Sequence, residues 1–413
     1  MTPPLDPGGV PGSQAGHPML RQLISIDSER FATDYWGRQA LLSRAAELSG
    51  NFAQLLNSEA IDELVSQRGL RTPFLRVAKN GSTLAEKAFT GPGGVGATIA
   101  DQVSDDKLVG LFADGSTLVL QALHRVWPPI IEFCQRLATE LGHPVQANAY
   151  VTPPQNQGFS NHYDVHDVFV LQLEGSKRWQ VHSPVLEAPL RDQPWNDRQA
   201  AVASRAAERP LIEAVLEPGD CLYLPRGFLH AAKALGGVST HLTIGVHSWT
   251  RFAVADDMAR QALQAVSREP EIRRSLPLGV DFTDPSPLSA DIELVRNSLI
   301  RALQTADPEE IISTLRRNVR GTQRAAPIGP LRQLRDANRI TGTVRIALRE
   351  HLAASVDQVG GRSTVRGRAG DFPLREEDVA PMKTLLESGF ARAEDLGLDL
   401  ARRLVLAGLA TVE

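Results

Sequence analysis

His162 and Asp164 stand two residues apart in the stretch Asn161-His162-Tyr163-Asp164-Val165-His166-Asp167, just ahead of the apolar run 168–173. Imidazole and carboxylate are both metal ligands, and in an extended strand residues two apart point to the same side. The pair can meet one ion if a third ligand arrives from elsewhere. His166 lies four residues from His162, about 13 Å away in an extended strand. That is too far for both to reach an ion at ~2.0–2.2 Å. The remaining candidates are His230, His241 and His247. His230 sits among Phe228, Leu229, Ala231 and Ala232, where an imidazole is either a satisfied core group or a ligand. His241 belongs to a pattern whose one face reads Ser239, His241, Thr243, Gly245, His247; that face looks into a pocket or at solvent.

Two His and one carboxylate on one side of an ion leave three positions open, as in non-haem Fe(II) oxygenases. A keto acid such as 2-oxoglutarate can chelate that iron, and its far carboxylate then needs a cation. Lys177 is a candidate. Gly175-Ser176 reads as a two-residue turn between strands at 168–173 and 177–182, so Lys177 would open the strand paired with the ligand strand. Arg178 would point the other way. The plain alternative is that Lys177-Arg178 begins an exposed strand. A cupin storage or isomerase site is the nearest rival chemistry. It asks for a second His where Asp164 stands and a Glu where Val168 and Phe169 stand.

The elements that must position these groups are short β-type runs at 145–151, 168–173, 177–182, 221–224 and 238–247. Turn signals separate them at Thr152-Pro153-Pro154, Glu217-Pro218-Gly219-Asp220 (a type II pattern), Pro225-Arg226-Gly227 and Gly236-Gly237. Many short strands so spaced indicate a jelly roll or barrel. Ahead of them, 19–60 reads as largely helical, including 40–48, and Phe31–Trp36 as an aromatic packing anchor. Strands are expected at 72–77 and 117–121. Residues 128–141 read as an amphipathic helix with prolines at its start and Gly142 as its stop. Behind them, helices are expected at 253–266, 290–305 and 308–318. Ile292, Val295, Leu299 and Leu303 form an apolar stripe to be buried within the chain or against a second subunit.

A length of 413 residues suggests two or three domains. The net charge of −4 argues against wholesale wrapping of nucleic acid. Residues 316–368, however, hold twelve arginines and three acids. This belt is either a surface for an RNA-rich or acidic partner or an ordinary solvated face. From 375 onward eight acids face five bases. Cys134 and Cys221 are too few for a disulfide framework or a cysteine zinc site, which suits a reducing cytoplasm. No apolar run approaches the ~18–20 residues of a membrane span. The first 18 residues, rich in Pro and Gly and without a basic-then-apolar signal, read as a disordered leader.

The motif His162-Tyr163-Asp164 is followed by Phe169-Val170-Leu171-Gln172-Leu173-Glu174-Gly175-x-Lys177-Arg178-Trp179. Later come Gly219-Asp220-x-Leu222-Tyr223-x-Pro225-Arg226-Gly227-x-x-His230 and His241-Leu242-Thr243. With Asn148-Ala149-Tyr150-x-Thr152-Pro153-Pro154 and Gln157-Gly158-Phe159, these residues resemble the JmjC-type ribosomal oxygenases. Those are cupin-like Fe(II)- and 2-oxoglutarate-dependent oxygenases that hydroxylate ribosomal-protein side chains. The strong motifs cover roughly 145–248.

The resemblance implies an α+β protein built on a double-stranded β-helix, the jelly-roll or cupin-like JmjC barrel, with flanking helices. It divides the chain into a leader (1–18), a catalytic domain (19–250), a helical dimerisation region (251–335) and a winged-helix-like domain (336–413). It implies that His162, Asp164 and His230 bind Fe(II) as the catalytic set, that Lys177 pairs with the far carboxylate of 2-oxoglutarate, that Asn148 and Thr243 lie near the co-substrate, and that Tyr150 lies near the substrate. The implied activity consumes O2 and hydroxylates an arginine or histidine of a ribosomal protein, in a cytoplasmic homodimer. The same chemistry on a small molecule or peptide is the alternative, and a non-catalytic cupin-like binding protein is a further one. A winged helix would suggest DNA binding, but the acidic balance of the chain's end argues against it. Two departures stand out: Gly245, where relatives can carry a small hydroxyl residue, and His166-Asp167 after the motif.

Overall fold

Alternating apolar residues build one long antiparallel sheet in the first part of the chain. The computed structural model describes residues 17–413 except 80, 155, 157, 158 and 285. The expected leader up to residue 16, and Gln157-Gly158 of the motif, lie outside the described residues. Two compact units result, Met1–His247 and Ser248–Glu413.

In the first unit the sheet runs in the order Leu41–Ser43, Cys221–Leu224, Asp167–His182, Leu229–Val246, Val145–Thr152, Thr117–Leu120, Leu75–Lys79 and Ser82–Thr83, with Ile212–Leu216 added to Asp167–His182. The strands expected at 145–151, 117–121 and 221–224 are present, and so is the helix Pro128–Leu141, closed by Gly142 at φ +68°. The strand expected at 72–77 begins later, at Leu75, beyond Pro73, which has no N–H to give a ladder. Gly219 at φ +93°, with Asp220 N donating to Glu217 O (2.9 Å), agrees with the expected turn.

Two expectations fail. Residues 40–48 are not helical: Leu41–Ser43 is an edge strand, its register set by Leu41 opposite Tyr223, and a short 3-10 turn Ala45–Glu47 follows. A free sheet edge satisfied the backbone there better than a helix would, overriding local propensity. Nor is there a hairpin at Gly175-Ser176. Asp167–His182 is one strand of 16 residues. Its first half pairs with Cys221–Leu224 and with residues 240–246; its second half pairs with Ile212–Leu216 and with residues 229–235. Gly175 has φ +60°, and a Cβ there would lie 2.1 Å from the Val238 carbonyl oxygen. The glycine serves close backbone approach, where residues 236–239 leave the ladder and the register of Leu229–Val246 shifts.

The two faces of this sheet bury different cores. Phe169, Leu171 and Leu173 pack with Val145, Ala147, Ala149, Leu242, Ile244 and the helical side. Val168, Val170, Trp179 and Val181 pack inward with Leu222 and Leu224. Burial on both faces explains the unbroken apolar run 168–171. Phe31 and Trp36 anchor as expected, with Phe31 edge-on to Tyr223 (4.9 Å) and Trp36 stacked on it (6.0 Å).

The second unit opens with the helices Arg251–Val266, Ser289–Gln304 and Pro308–Thr322. On the stripe, Ile292, Val295 and Leu303 are 47%, 40% and 39% exposed, so this chain covers them only in part. A separate core follows, around Ile346, Val365, Met382, Leu385, Leu400 and Leu404. It is flanked by the sheets Phe390–Arg392/Arg345–Leu348/Ala410–Val412 and Ser355–Val359/Arg362–Gly367/Gly370–Leu374. The helix Pro330–Ala337 runs across the boundary expected at 335/336. Gln333 Nε2 donates to Val405 O (2.9 Å) and Ala410 O (2.8 Å), which ties that helix to the C-terminal core. Among the described residues, no helix is long and apolar enough to cross a membrane.

Candidate functional site

His162 and Asp164 do not sit in a regular strand: the strand proper begins at Asp167. The alternation argument that paired them does not apply, and a backbone clip replaces it. His162 N donates to His230 O (3.2 Å) and His230 N to His162 O (2.9 Å), an isolated antiparallel bridge. The two imidazoles lie 4.5 Å apart, centroid to centroid. Each ring is also oriented from behind. His162 Nδ1 lies 2.8 Å from Ser160 O and His230 Nδ1 lies 3.0 Å from Phe228 O. A carbonyl can only accept, so both rings carry the proton on Nδ1 and leave the Nε2 lone pairs free to ligate. Asp164 Oδ2 is 3.8 Å from His230 Nε2. One ligand atom from each of His162, Asp164 and His230 falls within 4.8 Å of the others.

The electrostatics suit a cation. Burial, reinforced by His162, lowers the pKa of His230 to about 4, so its ring is neutral at physiological pH. Burial works against the charge of Asp164, but the imidazoles around it, His166 foremost, hold its carboxyl below the usual range. Two imidazoles and one carboxylate with three open positions are the donor set of a six-coordinate divalent iron site.

The same cavity is lined by Lys177, Trp179, Tyr150, His241, Thr243 and Phe159. Lys177 reaches it as a continuation of the strand that starts at Asp167, not from a hairpin partner. It is 3% exposed. Its Nζ donates to Thr152 Oγ1 (3.1 Å), which also accepts from Thr117 (3.2 Å), and lies 3.5 Å from His241 Nδ1. Among the described residues no carboxylate pairs with it, and burial lowers its pKa to about 7. Trp179 Nε1 is likewise buried without an acceptor. Arg178 points outward to Glu213 (3.6 Å), as alternation requires.

Tyr150 stacks on His241 at 4.8 Å, and burial pushes its phenol up to about 12, so the hydroxyl keeps its proton. Thr243 lines the cavity. Its cross-strand partner Asn148 is not among the lining residues; its Oδ1 accepts from Ala122 N (3.0 Å), so that oxygen fixes the entry to the 123–126 turn. His166 and His247 pair with each other instead (4.9 Å), and a Cβ on Gly245 would lie 3.0 Å from the His166 ring. The two sequence departures therefore touch. The sequence reading missed Trp179 as a cavity group and Thr152 as the acceptor behind Lys177. The alternation Lys177, Trp179, Val181 was the signal for the first, and nothing local marks the second.

Comparison with known proteins adds the family. Residues 125–253 match the JmjC domain model. The chain carries a JmjC domain. The chain is 39% identical over 182 residues to "Ribosomal oxygenase 1" of Rattus norvegicus, covering 42% of this chain and 29% of the relative. It is 29% identical over 275 residues to the "Bifunctional lysine-specific demethylase and histidyl-hydroxylase NO66" of Drosophila mojavensis, covering 65% of this chain and 29% of that protein. The chain thus spans less than half the length of the curated relatives it matches. The crystal structure of Escherichia coli ribosomal oxygenase YcfD superposes with a TM-score of 0.55 at 17% identity, covering 95% of this chain and 99% of that one. A further structure of YcfD is described as a complex with cobalt and 2-oxoglutarate. The resemblance read from the motifs is borne out, and so is the cupin-like fold.

Proposed function

We propose that the protein is an Fe(II)- and 2-oxoglutarate-dependent oxygenase that hydroxylates a side chain of a ribosomal protein, arginine or histidine. One observation carries the reading: a buried ammonium without a carboxylate partner, Lys177, shares a cavity with a two-His, one-Asp ligand set. An isolated buried cation is costly unless an anion joins it, and a dicarboxylate spanning from the ligand set to Lys177 supplies that anion. The relatives named ribosomal oxygenase, and the cobalt and 2-oxoglutarate complex of YcfD, support the same assignment.

In this reading His162, Asp164 and His230 hold the metal. Lys177 Nζ, with Thr152 behind it, receives the far carboxylate. Thr243 and the Trp179 N–H flank the co-substrate, and the protonated Tyr150 hydroxyl and Phe159 face the substrate side. Asn148 acts at one remove, by fixing the chain at Ala122. The metal, when bound, supplies the activation of O2 with oxidative decarboxylation of the keto acid. The chain's own part is to fix both imidazoles in the ligating tautomer, to anchor the co-substrate at its far end, and to keep water out behind Trp179, Val168 and Val170.

The remaining assignments extend the same proposal. Residues 251–335 form a dimerisation region using the half-exposed Ile292/Val295/Leu303 stripe, and the C-terminal core is a winged-helix-like domain that does not bind DNA directly. The working compartment is the cytoplasm. The test is anaerobic reconstitution with Fe(II), followed by addition of 2-oxoglutarate. A metal-to-ligand charge-transfer band is expected for the wild type and absent from the His162→Ala/Asp164→Ala variant. No band in the wild type, or an undiminished one in the variant, counts against the assignment. Succinate formed only with free amino acids, and not with ribosomal proteins, would move the substrate to a small molecule.

A further inference from the structure

The three-stranded sheet Ser355–Val359/Arg362–Gly367/Gly370–Leu374 has a core face and a second face of different character. Val356, Val365 and Phe372 are cross-strand partners and pack on the C-terminal core. By alternation the opposite face carries Arg362, Thr364 and Arg366, with their cross-strand partners Ser355, Asp357, Asp371 and Pro373. The end of the Pro308–Thr322 helix lies against it: Arg320 Nη2 donates to Ser355 Oγ (2.6 Å), and Ser355 is directly opposite Arg366. Arg316, one turn earlier on the helix, is exposed, as is Arg362.

Four guanidinium groups thus meet two carboxylates, Asp357 and Asp371, both of which engage Arg366 (3.7 and 3.6 Å). The Nε–H of Arg320 is buried with no acceptor, whereas that of Arg366 faces Asp371 Oδ2 at 3.6 Å, so one donor of fixed direction remains unmet. An unmet buried donor beside like charges asks for an anion with several oxygens, and the planar guanidinium fork matches phosphate.

We propose that this arginine face, with the adjoining end of the Pro308–Thr322 helix, binds the phosphate backbone of double-helical RNA. The choice of RNA rests on the reading of the substrate as a ribosomal protein, which lies among RNA. The choice of duplex rests on the face itself. Single strands are held by stacking bases on aromatic rings, and no ring stands among the described side chains of this face: Phe372 is turned to the core. A backbone-reading surface binds without sequence preference and weakens steeply with salt.

The experiment is fluorescence anisotropy of the full-length protein with a labelled duplex RNA of about 16 base pairs, titrated at several salt concentrations. Arg316→Gln/Arg362→Gln is the test variant, because both side chains are exposed; circular dichroism verifies that the variant is folded. The expected result is weaker binding, with the slope of log affinity against log salt reduced by about one per arginine removed. Unchanged binding by a folded variant overturns the proposal. So does equal or tighter binding of single-stranded RNA, duplex DNA, polyglutamate or phosphatidylserine vesicles. Succinate formation from 2-oxoglutarate is measured separately on the same protein. Duplex binding without any succinate leaves this surface standing and removes the catalytic reading. Succinate without duplex binding removes this inference alone.

Discussion

Two concentrations of polar side chains in this chain solve opposite problems. Inside the barrel they are few, and three are held by named partners: His162 by Ser160 O, His230 by Phe228 O, Lys177 by Thr152. On the 355–374 sheet and the helix end beside it, arginines outnumber carboxylates, and the Nε–H of Arg320 is left over. Precision in the first demands that every group be present. Multiplicity in the second makes each group dispensable. Single substitutions should therefore be all-or-none in the barrel and graded on the sheet.

The largest effect is expected at the ligand set. Asp164→Ala should lower Fe(II) affinity by more than about 100-fold, beyond the range seen when only a ligand's orienting partner is lost, as read by anaerobic metal titration. A variant that still binds iron tightly would break the comparison at its root. Next comes Lys177→Met, which should weaken 2-oxoglutarate binding by about 2–5 kcal/mol, the range for removing one partner of a buried charge pair. Metal affinity should change little. A parallel loss of both would mean that Lys177 acts on the ligand set rather than on the co-substrate.

The same lysine carries a pH signature. Burial lowers its pKa from 10.5 to about 7, so between those values the unfolded chain binds more protons than the folded one. Without co-substrate, stability should rise with pH through that window, and the full burial penalty should be present below pH 7. Binding the dianion favours the ammonium form. Affinity for 2-oxoglutarate should therefore fall as pH rises above about 7, by up to tenfold per unit, with proton uptake measurable by calorimetry in buffers of different ionisation heat. Lys177→Met should flatten that profile.

Gly175→Ala tests the frame rather than the groups. Its Cβ would meet Val238 O at 2.1 Å with φ at +60°, so a loss of more than about 1 kcal/mol of stability is expected by denaturant unfolding. The smallest effect belongs to the sheet: Arg362→Gln alone should change duplex-RNA affinity by no more than a few-fold.

Much of the site could be read before the fold was known, because ligand chemistry and spacing are local. His162, Asp164 and Lys177 are singled out by residue type and spacing. What misled was the geometry assigned to them. Gly175-Ser176 has the composition of a turn, yet Gly175 is there to let the Val238 backbone pass, and that contact lies 63 positions along the chain, where no local pattern can show it. Residues 40–48 have helical periodicity, yet Leu41–Ser43 is taken up by the edge at Cys221–Leu224. Asn148 stands on the strand face of Tyr150 and opposite Thr243, and its amide oxygen accepts from Ala122 N, a contact that only the tertiary fold brings within reach. Conversely, helix Pro128–Leu141 was legible to the residue because Pro128-Pro129 and Gly142 mark its ends locally.

The paired hydrogen bonds between His162 and His230 have a thermodynamic consequence. Two ligands that are remote in the chain are joined by their own backbone, so the loop closure between them is completed when the protein folds and need not be driven by the ion. The imidazoles are preorganised for capture, and metal binding should order little else. Chelation should then leave the far-ultraviolet circular dichroism unchanged. Rebinding of iron should be limited by encounter and water loss, with no refolding step ahead of it.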